Sequence, residues 1–163
     1  MELKKRFSFR RVFTILYIVA FFAYLAVGLV PADGIAYTID GGLVIPSIDL
    51  TSGVTKLELK DHKLNTPDSI VGSYSQSRNK TFLVGHSTTV FKDLNQAKVN
   101  DTIVYNNTEY KITSMEVFRK SDIDMKDLLK AEKEDTLVLM TCAGEPIDET
   151  DATHRLIVTA VKN

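Results

Sequence analysis

The segment Thr136-Leu137-Val138-Leu139-Met140-Thr141-Cys142 decides how the fold is read. It is an apolar, β-branched run of strand character, and it stops at the only cysteine among 163 residues. Twelve positions later begins His154-Arg155-Leu156-Ile157-Val158-Thr159-Ala160, which repeats that character, with a guanidinium near its start. Fifty-six positions before the cysteine, Thr81-Phe82-Leu83-Val84-Gly85 runs up to His86. A thiol, an imidazole and a guanidinium therefore each sit at or near the end of a predicted strand. The pattern predicts that folding gathers them at one rim of a sheet.

Working outward, the chain supplies more short strands than helices. Leu43 to Leu50 reads as a first strand, with Pro46 marking an edge or a bulge. Val54 to Leu59 alternates as a second strand. Thr66-Pro67-Asp68-Ser69 suits a helical turn with Pro at its first position, and the polar stretch Ser73 to Lys80 reads as a loop. Asp101–Tyr105 and Tyr110–Phe118 flank an Asn-rich turn and predict a hairpin. Ser121 to Asp124 precedes a short helix reaching Lys130. Seven or eight short strands with little helix predict an all-β barrel or sandwich.

The N-terminal part has a different composition. Val12 to Val30 is nineteen positions without a charge, which at about 1.5 Å per residue nearly crosses a hydrocarbon core of roughly 30 Å. That is longer than the apolar region of a cleavable signal, about 7–15 residues, which favours an uncleaved anchor, while the small residues near Ala32 and Gly34 leave cleavage open. Lys4, Lys5, Arg6, Arg10 and Arg11 precede it, and no comparable cluster follows. The positive-inside rule then predicts a cytoplasmic tail over 1–11, a transmembrane anchor over 12–30, a linker over 31–42 and an extracytoplasmic domain over 43–163. Setting aside the five basic and one acidic residue of the first thirty leaves 15 basic against 20 acidic side chains. An acidic exported domain is poorly suited to nucleic acid, whose phosphates require basic neutralisation. A single cysteine outside the cell cannot staple its own domain, which leaves a buried thiol, an intermolecular bridge or a reactive group.

The three residues suit thiol acyl transfer. A thiol with a pKa of about 8.5 is only slightly ionised at neutral pH, and a neighbouring cation favours the thiolate. An imidazole at position 86 would move protons between attacking and leaving groups, and the planar guanidinium of Arg155 would face the oxyanion. Taken singly, each residue has a plainer reading: a core thiol, a turn histidine, a solvated arginine.

Gly85-His86-Ser87, Leu139-Met140-Thr141-Cys142 and Arg155-Leu156-Ile157-Val158 with Ala160 together resemble the signature set of the sortases, the membrane-anchored cysteine transpeptidases of Gram-positive-type envelopes. The order His, Cys, Arg matches, and the resemblance covers about residues 43–161, with Ile45-Pro46-Ser47-Ile48 similar to the family's opening strand. It implies an eight-stranded β-barrel with a few short helices. Cys142 would be the nucleophile, His86 the general acid/base and Arg155 the oxyanion or substrate-positioning group. Thr141, Ser87 and Val138 would contribute to substrate binding. It further implies cleavage of an LPXTG-like sorting signal after Thr, through a thioacyl-enzyme that is resolved by an amine of a peptidoglycan precursor or a pilin lysine. One departure is visible: Val138 stands four before the cysteine, where the family's motif often has Thr. The linker lacks the Asp-Pro-aromatic lid of many pilus-assembling members, which fits a housekeeping-like or class D/E-like enzyme.

No cofactor is expected. Some relatives are activated by calcium, and the carboxylates of Asp122, Asp124, Asp127, Glu132 and Glu134 are of the right kind, but acidic loops are ordinarily just solvated. No His or Cys spacing suggests a transition-metal site. Two rivals share the sequence: a hydrolytic cysteine endopeptidase on the same scaffold, and a non-catalytic membrane-anchored β-domain whose Cys142 is core filler.

Overall fold

The computed structural model describes residues 41–60, 63–149 and 151–163. The expected cytoplasmic tail, transmembrane anchor and nearly all of the linker lie outside these residues. Among the described residues no helix is long and apolar enough to cross a membrane.

Among the described residues ten strands form in chain order: β1 (Gly41–Ile45), β2 (Leu50–Lys56), β3 (Leu59–Lys60), β4 (Lys63–Leu64), β5 (Val71–Ser77), β6 (Lys80–Val84), β7 (Thr102–Tyr105), β8 (Thr108–Arg119), β9 (Thr136–Pro146) and β10 (Ala152–Lys162). Eight of them close a barrel in the order β1-β2-β5-β6-β9-β10-β8-β7, while β3 and β4 pair only with each other. The eight-stranded barrel is the architecture expected. Two neighbouring pairs, β2–β5 and β6–β9, are parallel. Each needs a crossover, and the one between β6 and β9 carries the β7–β8 hairpin and a short helix, α1 (Met125–Leu128).

Local chemistry explains the elements. Pro46, with fixed φ and no N–H, ends β1 and opens a single 3₁₀ turn over Pro46–Ile48, so the expected first strand becomes two antiparallel strands. Asn106 and Asn107 both hold positive φ (49° and 62°), the geometry of a two-residue hairpin turn whose twist matches the flanking strands. The Asp124 side chain accepts from the Lys126 N–H at 2.8 Å and caps α1, which is shorter than the helix expected. The expected helical turn after Thr66 is not formed; residues 65–70 run through bends into β5.

The largest difference from expectation is at β5, most of which falls within Ser73 to Lys80, the polar stretch whose composition predicts a loop. Its place beside β6 is held by backbone pairing and by Gly72, against whose Cα the Leu57 side chain packs. A Cβ there would come within 2.4 Å of Leu57 Cδ1. Ser73 is buried, and its hydroxyl donates to the Thr55 carbonyl at 3.3 Å. The apolar surface covering this strand thus comes from another segment.

Strand alternation divides the apolar residues into two sets. Leu43, Ile45, Leu83, Leu137, Leu139, Leu156 and Val158 join the core cluster inside the barrel. Phe82, Val84, Val138 and Ile157, their neighbours in sequence, point to the opposite face and form a second cluster with Leu57. Ile123, Leu128 and Leu129, from α1 and its flanks, pack over that outer cluster.

Candidate active site

The same alternation places the site. On β9, Leu137 and Leu139 point inward, Val138 and Met140 outward; continuing the pleat, Cys142 belongs to the outer face. On β10, Leu156 and Val158 point inward and Ile157 outward, so Arg155 shares the outer face. Arg155 is the direct cross-strand partner of Cys142, which brings their Cβ atoms to roughly 4.5–5.5 Å by the ordinary geometry of antiparallel pairs. Cys142 is not at the end of its strand. β9 continues to Pro146, but its pairing with β6 stops at Met140, so the strand is flanked on one side only where the cysteine lies.

His86 is presented by the turn that follows β6. Gly85 N–H donates to the Met140 carbonyl at 3.4 Å, and the chain then folds back so that the His86 carbonyl accepts from Thr89 and Phe91 N–H groups at 3.3 and 3.0 Å. Gly85 is required by this return: a Cβ there would lie 2.6 Å from Val90 and 2.8 Å from Phe91. Thr141 is 5% exposed, and its hydroxyl donates to the Gly85 carbonyl at 2.8 Å, pinning β9 to the residue just before the histidine.

Beyond Cys142 the β9–β10 ladder shifts register between Ala152 and His154, where Gly144 adopts φ +78°. This bulge bends the hairpin over the site. The outcome is a cleft of about 190 Å³ whose lining includes His86, Ser87, Cys142, Gly144, Asp148 and Asp151. On its far side the His86 Nε2 lies 3.8 Å from a carboxylate oxygen of the exposed Asp68.

Arg155 is arranged differently. Its side chain is 13% exposed and is not among the residues lining the cleft. Nη1 donates to the carbonyls of Ala152 and His154, each at 2.8 Å, and Nη2 donates to the Asp151 carboxylate. The other oxygen of that carboxylate accepts from the Lys120 ammonium. The Lys120 contact first, and the Arg155 contact second, hold Asp151 down to a pKa of about 2.

The structure therefore brings His86, Ser87 and Cys142 to one cleft, and sets Arg155 beside Cys142 on the neighbouring strand. Thr141 faces the interior. Val138 is 2% exposed within the outer apolar cluster, two residue pairs along the strand from the cysteine. Asp68, Lys120 and the pairing role of Asp151 were not read from the sequence, because each depends on where a loop returns. Among the described residues no group of three or more His, Cys, Asp or Glu is arranged to hold a metal ion. Of the carboxylates weighed for calcium, Asp124 caps α1, Asp122 accepts from the Ser121 hydroxyl, and Glu132 pairs with Lys80.

A family model described as the sortase domain matches residues 43–163. The chain belongs to the sortase family. Solved structures agree on the fold. Sortase A from Listeria monocytogenes superposes with a TM-score of 0.58 at 18% identity, covering 77% of this chain and 87% of that one. Sortase A from Corynebacterium diphtheriae, as a lid mutant, gives a TM-score of 0.59 at 20% identity, covering 80% and 73%. Sortase C-1 from Actinomyces oris gives 0.57 at 24% identity, covering 88% and 79%. A search of curated proteins returned no match. Membership carries the family's general activity, cysteine transpeptidation on sorting-signal substrates with cell-wall or pilin acceptors, and the family's general setting at the cell surface in association with the membrane.

Proposed function

We propose that this sortase cleaves an LPXTG-like sorting signal after Thr and transfers the protein to an amine acceptor of the cell wall or a pilin, with Cys142 as nucleophile. The observation that supports it most is that His86 and Cys142, distant in sequence, face one cleft. The Cys142 thiolate adds to the Thr carbonyl. The tetrahedral intermediate collapses, the Thr–Gly C–N bond breaks, and His86 in its protonated form gives its proton to the departing amine. The incoming amine then adds to the thioester and yields its proton to His86, and the new C–N bond forms as the thiolate leaves. Arg155 supports the oxyanion in both steps, or positions the substrate carbonyl. Ser87 contributes to binding from the cleft wall. Thr141 and Val138 contribute by shaping the strand that carries the cysteine.

No cofactor takes part in these steps, so turnover should survive exhaustive treatment with a chelator. Residues 12–30 anchor the enzyme with its catalytic domain outside; protease added to intact cells should then digest the domain and spare the tail. The central test is intact-mass analysis of the enzyme incubated with a panel of sorting-signal pentapeptides. A thioacyl adduct on Cys142, absent from Cys142→Ala and discharged by an added amine, is the expected result. Release only of the free acid in the presence of amine would favour the hydrolytic reading, and an unreactive thiol on a folded domain would favour the non-catalytic one.

A further inference from the structure

The hydrogen-bond partners of Arg155 say more about its role than its closeness to the cysteine does. Its guanidinium is spanned on one side by the carbonyls of Ala152 and His154 and on the other by Asp151. Asp151 lies on the cleft wall, whereas Lys120 comes from the 3₁₀ turn that ends β8. An Arg–Asp pair alone would be electrically neutral and would face the cleft as a dipole. The Lys120 contact adds a second cation to the same carboxylate, so the trio carries a net charge of +1 next to Cys142. The rigid fork of a guanidinium also gains direction from a fixed carboxylate, which a solvated arginine on a strand lacks.

We propose that Asp151 is a positioning residue for Arg155, holding the guanidinium at the β9–β10 corner, and that Lys120 offsets the carboxylate so that the corner stays cationic toward the reacting carbonyl. This rests on the role given to Arg155 above. Asp151 acts through the arginine, which it bonds directly.

The test is a cycle on the full chain using an LPXTG-type peptide and an amine acceptor. Asp151→Asn should lower kcat about tenfold or more, a typical scale for loss of a side chain that orients a reacting group, with KM within threefold. Asp151→Glu should recover part of the loss. Lys120→Met should lower kcat by a smaller factor, because it leaves Arg155 in place but neutralises it more completely. In an Arg155→Ala background, followed by slow accumulation of the Cys142 thioacyl adduct, Asp151→Asn should add no further defect. Wild-type kcat in Asp151→Asn, a change confined to KM, or a full additional loss in the Arg155→Ala background would overturn the proposal while leaving the transpeptidase reading intact. Failure of the parent enzyme to form any adduct would remove that reading, and the positioning role with it. Circular dichroism and a thermal melt of each variant separate a misfolded protein from a misdirected arginine: in a variant whose melt begins well above the assay temperature, only the latter explains lost turnover.

Discussion

The two faces of β9 divide the work of the molecule. Leu137, Leu139 and Thr141 point inward, buried in the barrel and tied to β6. Val138, Met140 and Cys142 point outward; the first two belong to the apolar cluster packed by α1 and its flanks, and Cys142 lines the cleft. Where that packing ends, the cleft begins. One strand thus spends alternate residues on stability and on chemistry, and the turnover point lies where β6 stops pairing and His86 begins its turn. The comparison teaches that the inner residues should govern folding and the outer residues near the cleft should govern rate.

The sharpest way to break that division is at Cys142. Loss of a nucleophile removes the covalent route and should reduce turnover by about 10³-fold or more. Cys142→Ala should nonetheless melt within a few degrees of the parent, since the side chain is only partly buried. A collapse of Tm in this variant would move the cysteine to the structural side of the strand. Next in size is Arg155→Lys, which retains charge but cannot span Asp151 and two carbonyls with one planar fork. Loss of an aligned donor of this kind costs about 10²–10³ in rate, and steady-state kinetics with a matched acceptor would read it. Wild-type turnover would take Arg155 out of the mechanism.

The inward face predicts the reverse pattern. Leu139 is fully buried in the barrel core, and truncating such a residue costs about 2–5 kcal/mol. Leu139→Ala should therefore lower the urea midpoint substantially, while the fraction that remains folded turns over within a few-fold of the parent. An activity loss that exceeds the unfolded fraction would show that the core and the cleft are coupled more tightly than the alternation implies.

How much of this was legible beforehand follows from the range of the forces involved. β9 and β10 were legible because each carries its own apolar pattern. The β7–β8 hairpin was legible because Asn106-Asn107 is a turn signal independent of context. β5 was not, because the side chain covering Gly72 is Leu57, on a different segment. The turn expected after Thr66 lost to the parallel pairing that draws Val71 onto Val54. In the candidate site, the residue types and their order pointed to Cys142, His86 and Arg155. The Asp151 pairing of Arg155 was hidden, since it needs the hairpin to bend at Gly144 and the end of β8 to deliver Lys120. A motif identifies which groups matter, and loop closure decides what they touch.

The smallest effect concerns acid, and it sharpens the comparison because Asp151 lines the cleft yet is bonded firmly enough to influence stability. Its pKa is held at about 2, first by Lys120 and then by Arg155, against roughly 3.9 for an unfolded aspartate. Because the folded value is the lower one, the native state binds this proton less readily than the unfolded chain does. The associated stability is fully present above about pH 4 and is lost as pH falls through the folded value near 2. Asp151→Asn should thus be less stable than the parent at neutral pH, and the gap between the two should close as both are melted at successively lower pH. Since the carboxylate stands at the cleft wall rather than in the core, solvent screens it and the gap should be modest beside that of Leu139→Ala. A gap that stays constant down to pH 2 would mean that the substitution acts on packing, and that the salt bridges to Lys120 and Arg155 direct the arginine without stabilising the fold.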